Sequence, residues 1–186
     1  MLSTHPLQGI PAYARPKVFV ALLLLTVLVM AVFALTGAPL TTSAAPLGIV
    51  SLELAGNAAT AERILASWDD NTRLRAAFGL GIDYLYMPLY STTIGLACVW
   101  AAEALRRRRW PFVAAGSPLA WGLWLAALAD AIENVALATI MFHGVAEPWP
   151  QVSFWCASVK FALIILGLLY AAFGAVSAIS SRMRRA

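Results

Sequence analysis

Three residues of one apolar segment have the types and spacing to do chemistry together. Asp130, Glu133 and Asn134 stand at i, i+3 and i+4, which puts their side chains on one face of an α-helix. Two carboxylates and a carboxamide on one face can bind a cationic or hydroxylated group, or act as acid and base. A second apolar segment carries Asp83, followed on its side of a helix by Met87, Tyr90 and Ser91, with Tyr84 and Tyr86 near. A third carries Lys160, on a face with Ser153, Cys156 and Ala157. Ionisable groups within such segments are costly and need a partner or a purpose. Three carboxylates against one ammonium leave a formal excess of two negative charges. Lys160 can pair with one acid. The others must be protonated, hydrated, or matched by Arg73, Arg75 or a bound cation. The candidate ligand-binding cavity therefore comprises Asp83, Tyr86, Tyr90, Asp130, Glu133, Asn134 and Lys160, with no metal and no cofactor. A purely structural polar network is the alternative use of the same residues.

The elements that must position these residues follow from composition. Of 186 residues, 61% are hydrophobic and 12% charged, against about 45–50% and about 25% in a soluble domain. A bilayer is the expected solvent. Four apolar runs, about 18–36, 78–103, 118–143 and 152–179, are each long enough to cross about 30 Å of hydrocarbon as a helix. No segment shows the ten-residue alternation of a membrane strand. The expected fold is all-α: one integral membrane domain over 1–186, a four-transmembrane-helix bundle with a short interfacial helix in its first extracytoplasmic loop.

The arginines set the orientation. Arg15 and Lys17 precede the first run, Arg106 to Arg109 link the second and third, and Arg182, Arg184 and Arg185 follow the fourth. The link 144–151 has no Lys or Arg. The positive-inside rule makes the two termini and the arginine link cytoplasmic. This use of the arginines is favoured over a nucleic-acid or anionic-lipid patch, so the net charge of +4 does not imply a nucleic-acid partner. Trp68, Trp149 and Trp155 on one side, and Trp100, Trp110 and Trp121 on the other, fit interfacial belts. The first run exceeds a signal-peptide core of about 7–15 residues and reads as an uncleaved anchor. Cys98 and Cys156 fall at different depths and form no disulfide. His5 and His143 fall on opposite sides and form no metal site.

Residues 37–77 are long for a connection in a compact bundle and are expected to carry structure or function. Asn57 can cap a helix from Ala58 to Trp68, amphipathic and lying in the interface, with Trp68 at headgroup level. Ile49 to Leu54 is a helical turn or an extended piece. The loop is either a surface loop or a lid. Counting about 1.5 Å per residue places Asp83, Glu133, Asn134 and Lys160 in the outer half and Asp130 near the midplane, beneath this loop. Gly167, Ala171, Gly174 and Ala178 form a small-residue stripe suited to close helix approach, within the bundle or in an oligomer. The first run has almost no polar residue and is expected at the periphery of the site.

The segments 51–56 (SLELAG), 64–68 (ILASW), 82–86 (IDYLY) with Tyr90, 130–134 (DAIEN) and 155–161 (WCASVKF) together resemble an uncharacterised bacterial family of small four-helix integral membrane proteins. The resemblance covers about residues 45 to 175. It implies a bacterial inner-membrane location and a common design for the loop motif and the intramembrane acids, and it brings no activity. Small four-helix proteins such as the sigma-2 receptor-like sterol isomerase group also hold acids in a membrane cavity, but on helices where this chain has none, notably the first. Three functions fit the residues. One is a protein binding a lipid or other amphiphile in a polar intramembrane cavity open to the outer side. Another is a structural or assembly partner of a further membrane protein, or a homo-oligomer. The third is a proton- or cation-coupled carrier. No motif in the chain specifies a reaction.

Overall fold

Lipid offers no hydrogen bonds to a backbone, so long apolar runs are stable there as helices, which satisfy themselves. The computed structural model describes residues 4–183 and contains helices and no strand among them. In chain order they are α1 (Arg15–Gly37), α2 (Ile49–Glu53), α3 (Ala58–Ala66), α4 (Asp70–Arg107), α5 (Gly116–His143) and α6 (Trp149–Met183), with 3-10 turns at Ala38–Leu40 and Val113–Ala115. Helices α1, α4, α5 and α6 are each long and apolar enough to cross a membrane, as expected of a multi-pass membrane protein. Arg184 and Arg185, and the side chain of Arg182, used above for orientation, lie outside the described residues.

The apolar run beginning at Phe78 belongs to a longer helix. α4 starts at Asp70, about two turns earlier. The carboxylate of Asp69 accepts a hydrogen bond from the Thr72 amide at 2.7 Å, an N-cap that fixes the start and holds this carboxyl below the usual aspartate range. These first turns are polar, so hydropathy does not mark them.

α4 is the central element. α5 and α6 pack on it and on each other, whereas α1 makes its extensive contacts with α4 alone. On α5 the buried positions Ala126, Ala127, Asp130, Glu133, Asn134, Leu137 and Ile140 alternate with the exposed Trp124, Leu125, Leu128, Ile132 and Val135. The polar face is therefore the inward one. Toward the arginine link, glycines of α6 let neighbouring helices close in. A Cβ on Gly167 would lie 2.8 Å from Leu123, and one on Gly174 would run into Ala101. At these two positions the small-residue stripe of α6 serves contacts inside the bundle.

The connection 38–69 is an ordered cap on the other end. Leu40, Leu52, Ile64 and Trp68 form one core cluster with Leu80 of α4 and Leu137 and Ile140 of α5. Asn57 caps α3 by accepting from the Thr60 amide at 2.9 Å, and Glu147 accepts from the Ala58 amide at 3.0 Å. Two sequence expectations are corrected here. Trp68 is not displayed to a headgroup layer: it is 3% exposed, and its indole N–H donates to the Leu40 carbonyl at 2.9 Å. Nor does Arg73 match an intramembrane acid, because its guanidinium donates to the Leu65 carbonyl at 2.8 Å.

Candidate functional site

Lys160 is the hub of the polar residues. Its ammonium has three N–H donors, and three carboxylates surround it. Nζ lies 2.9 Å from Asp130 Oδ1, 2.9 Å from Glu133 Oε1 and 3.4 Å from Glu53 Oε2. Asp130, Glu133 and Lys160 are 2%, 0% and 5% exposed. The Tyr90 hydroxyl donates to Asp130 Oδ2 at 3.1 Å. Asn134 donates from Nδ2 to Asp83 Oδ2 at 2.9 Å and toward the Leu80 carbonyl at 3.4 Å. Thus one ammonium ties α2, α5 and α6, and one carboxamide ties α5 to α4. The second oxygen of Glu133 is buried with no hydrogen-bond partner among the described residues. It is the least satisfied atom of the cluster.

Glu53 is the member that sequence reasoning missed. It comes from α2, not from a long apolar run, and is buried. Gly48 and Gly56 bracket α2 with φ of 61° and 70°, a conformation open to glycine. These turns lead α2 into and out of the bundle. The Ser153 hydroxyl donates to the Glu53 carbonyl at 3.1 Å and fixes the entry. Burial pushes the Glu53 carboxyl above its ordinary range, and the nearby Lys160 charge draws it back only in part. The available signal was a lone carboxylate between leucines in an otherwise apolar stretch, Ile49 to Leu54.

A cavity of about 380 Å³ adjoins the cluster. Asp83, Tyr86, Tyr90, Asp130, Asn134 and Lys160 line it, so six of the seven sequence candidates share one space. Glu133 does not line it and reaches it only through Lys160. Arg75 stands in the wall, with no carboxylate within 4.0 Å among the described residues. Glu53 and Thr36 line it too, and the rest of the wall is apolar and draws on Phe33 of α1, Ile49 and Val50 of α2, and Phe161 and Ile164 of α6. Phe33 packs edge-on against Tyr86 at 5.4 Å between centroids. The expectation that the first long helix stays at the periphery is therefore corrected. α1 is peripheral to the bundle, but its last turns, with Phe33, Thr36 and Gly37, form part of the cavity wall.

With all four carboxylates ionised, Lys160 and Arg75 would leave two negative charges unmatched (four against two). Among the described residues no group of His, Cys, Asp and Glu is arranged to hold a metal ion, and the Lys160 ammonium sits where three of these carboxylates converge. What the arrangement can do is bind. Its lining combines charged and hydrogen-bonding groups with aromatic and aliphatic side chains. Searches of family models, curated proteins and solved structures give no match for this chain.

Proposed function

We propose that this protein binds a lipid or other amphiphile, with the head against Asp83, Asp130 and Tyr90 and the apolar part against Phe33, Phe161 and Ile164. The observation that carries this reading is the lining of the 380 Å³ cavity, which joins carboxylates and hydrogen-bonding groups to aromatic and aliphatic side chains. Its position supports an occupant that comes from the bilayer. α1 and α6 both contribute to the wall, yet α1 packs extensively only on α4, which leaves the α1–α6 side as the natural way in. α2 covers the cavity at its loop end. In this reading the two termini are cytoplasmic, the cavity lies in the outer half of a bacterial inner membrane, and α3 lies at the outer interface.

Mass spectrometry of lipids co-purified with wild type and with Asp130→Asn tests the proposal. The substitution keeps an acceptor for Lys160. A species bound by wild type and lost from a folded Asp130→Asn protein is the expected result. Identical profiles would sink the binding reading. Reporter fusions test the orientation: one after Arg109 is expected inside and one after Glu147 outside, and an external Arg109 would invert the site. A second reading has one observation in its favour. All three donors of Lys160 are satisfied internally, as in a network that only fixes helix register for assembly with a partner. Identical lipid profiles together with one stoichiometric protein partner would select it. A carrier has less in its favour, because between Arg109 and Asp130 no ionisable residue continues a relay along α5.

A further inference from the structure

The end of the bundle opposite the cavity carries Arg106, Arg107, Arg108 and Arg109 where α4 gives way to α5. The link turns through Arg109 and Phe112, with φ of 53° and 68°, a left-handed conformation uncommon outside glycine. The turn lays Phe112 against α6. The Tyr170 hydroxyl donates to the Phe112 carbonyl at 3.0 Å, and Trp110 and Phe112 approach the Phe173 ring at 5.5 Å and 6.4 Å between centroids. Beside them runs an apolar groove of about 300 Å³ lined by Phe112, Leu119, Leu166, Leu169, Tyr170 and Phe173. Leu166 and Leu169 are 53% and 63% exposed, so the groove faces outward from the bundle.

Charge at the head of this groove is one-sided. No Asp or Glu occurs between Glu103 and Asp130, and Glu103 is engaged by Arg15 at 3.9 Å. Arg106, Arg107 and Arg109 are exposed. The Arg108 guanidinium stands 5.7 Å over the Trp110 ring and so marks the contact between the basic run and the aromatic rim.

We propose that the arginine run and this groove form one binding site for an anionic phospholipid, separate from the polar cavity. An acyl chain lies along Leu166, Leu169 and Phe173, and the phosphate meets Arg107 and Arg109. The groove alone would accept any acyl chain. The exposed Arg106, Arg107 and Arg109 at its head select a lipid with net negative charge, since basic side chains near the headgroup layer attract anionic lipid.

Native mass spectrometry of the full chain in detergent, with added dioleoylphosphatidylglycerol or dioleoylphosphatidylcholine, tests this. Wild type is expected to retain the phosphatidylglycerol at least about fivefold better, the effect of a single well-placed arginine. Arg107→Gln/Arg109→Gln should bring it down to the phosphatidylcholine level, with Arg106 and Arg108 left in place. Leu169→Trp, which fills the groove from an exposed position, should reduce retention of either lipid. Arg107→Lys/Arg109→Lys, with the charge kept, should retain the preference and shows that the link still folds. Equal retention of the two lipids by wild type overturns the proposal. So does undiminished retention of phosphatidylglycerol by Leu169→Trp, because a diffuse basic surface would then suffice.

Discussion

The two ends of the bundle hold their helices together by opposite means. At the cavity end, polar and charged side chains bridge the elements: Lys160 links α6 to α2 and α5, and Asn134 links α5 to α4. At the arginine end, Gly174 of α6 lets the α4 backbone approach until a single Cβ would clash with Ala101, and Gly167 leaves room only for the side chains of Leu123 and Ile94. Hydrophobicity gives little drive for helices to associate in lipid, so packing and polar contacts must supply it. Close packing leaves no room, whereas a polar network holds helices apart around its side chains. The cavity is found where the second means is used, and Glu53, Asp83 and Asp130, which help to join the helices, also line the space between them.

Removing the hub of the polar end is expected to have the largest effect. Lys160→Met strands Asp130, Glu133 and Glu53 around an apolar side chain. Breaking a buried pair by removing one partner costs about 3–5 kcal/mol, read here as a lower thermal midpoint in detergent. Adding Glu133→Gln should restore part of the loss, because residues sharing one network couple by about 0.5–3 kcal/mol. Strict additivity of the two substitutions would show that Lys160 and Glu133 do not act as a pair.

At the close-packed end the informative change is one methyl group. Gly174→Ala pushes a Cβ into Ala101, and overpacking of this kind costs about 1–3 kcal/mol. Ala101→Gly in the same chain should recover only a small part of it, because the new Cβ would still meet the Ala101 Cα at 2.5 Å. A neutral Gly174→Ala would mean that α4 and α6 can move apart at no cost, and the contrast between the two ends would fail.

The same contrast explains what was legible in the sequence. Helix number and the inward face of α5 follow from hydropathy and from the i, i+3, i+4 spacing, since lipid forces helices and punishes outward charge. Tyr90, Asp130 and Lys160 were readable for the same reason. Glu53 was not, because its burial depends on how a loop folds back, and the turns at Gly48 and Gly56 leave no periodic trace. Trp68 misled in the other direction. A tryptophan beside an apolar run fits an interfacial belt, yet here its indole closes the loop core onto Leu40. The cavity role of Phe33 was hidden too, since an apolar residue on an apolar helix looks the same whether it meets lipid, protein or a cavity.

The smallest expected effect concerns the loop carboxylate and is best read through pH. Burial raises the Glu53 carboxyl, so the folded protein keeps this proton over a range in which the unfolded chain has lost it. Its contribution to stability is then full below the unfolded value, about 4.3, and is lost as pH rises through the folded value. Glu53→Gln removes that titration while retaining an oxygen that can accept from Lys160. The exchange should change the midpoint little, by about 1 kcal/mol or less, but flatten its decline with rising pH. A pH profile parallel to wild type would mean that Glu53 titrates alike in the folded and unfolded chain, and α2 would then not be held in the cluster through a buried carboxyl.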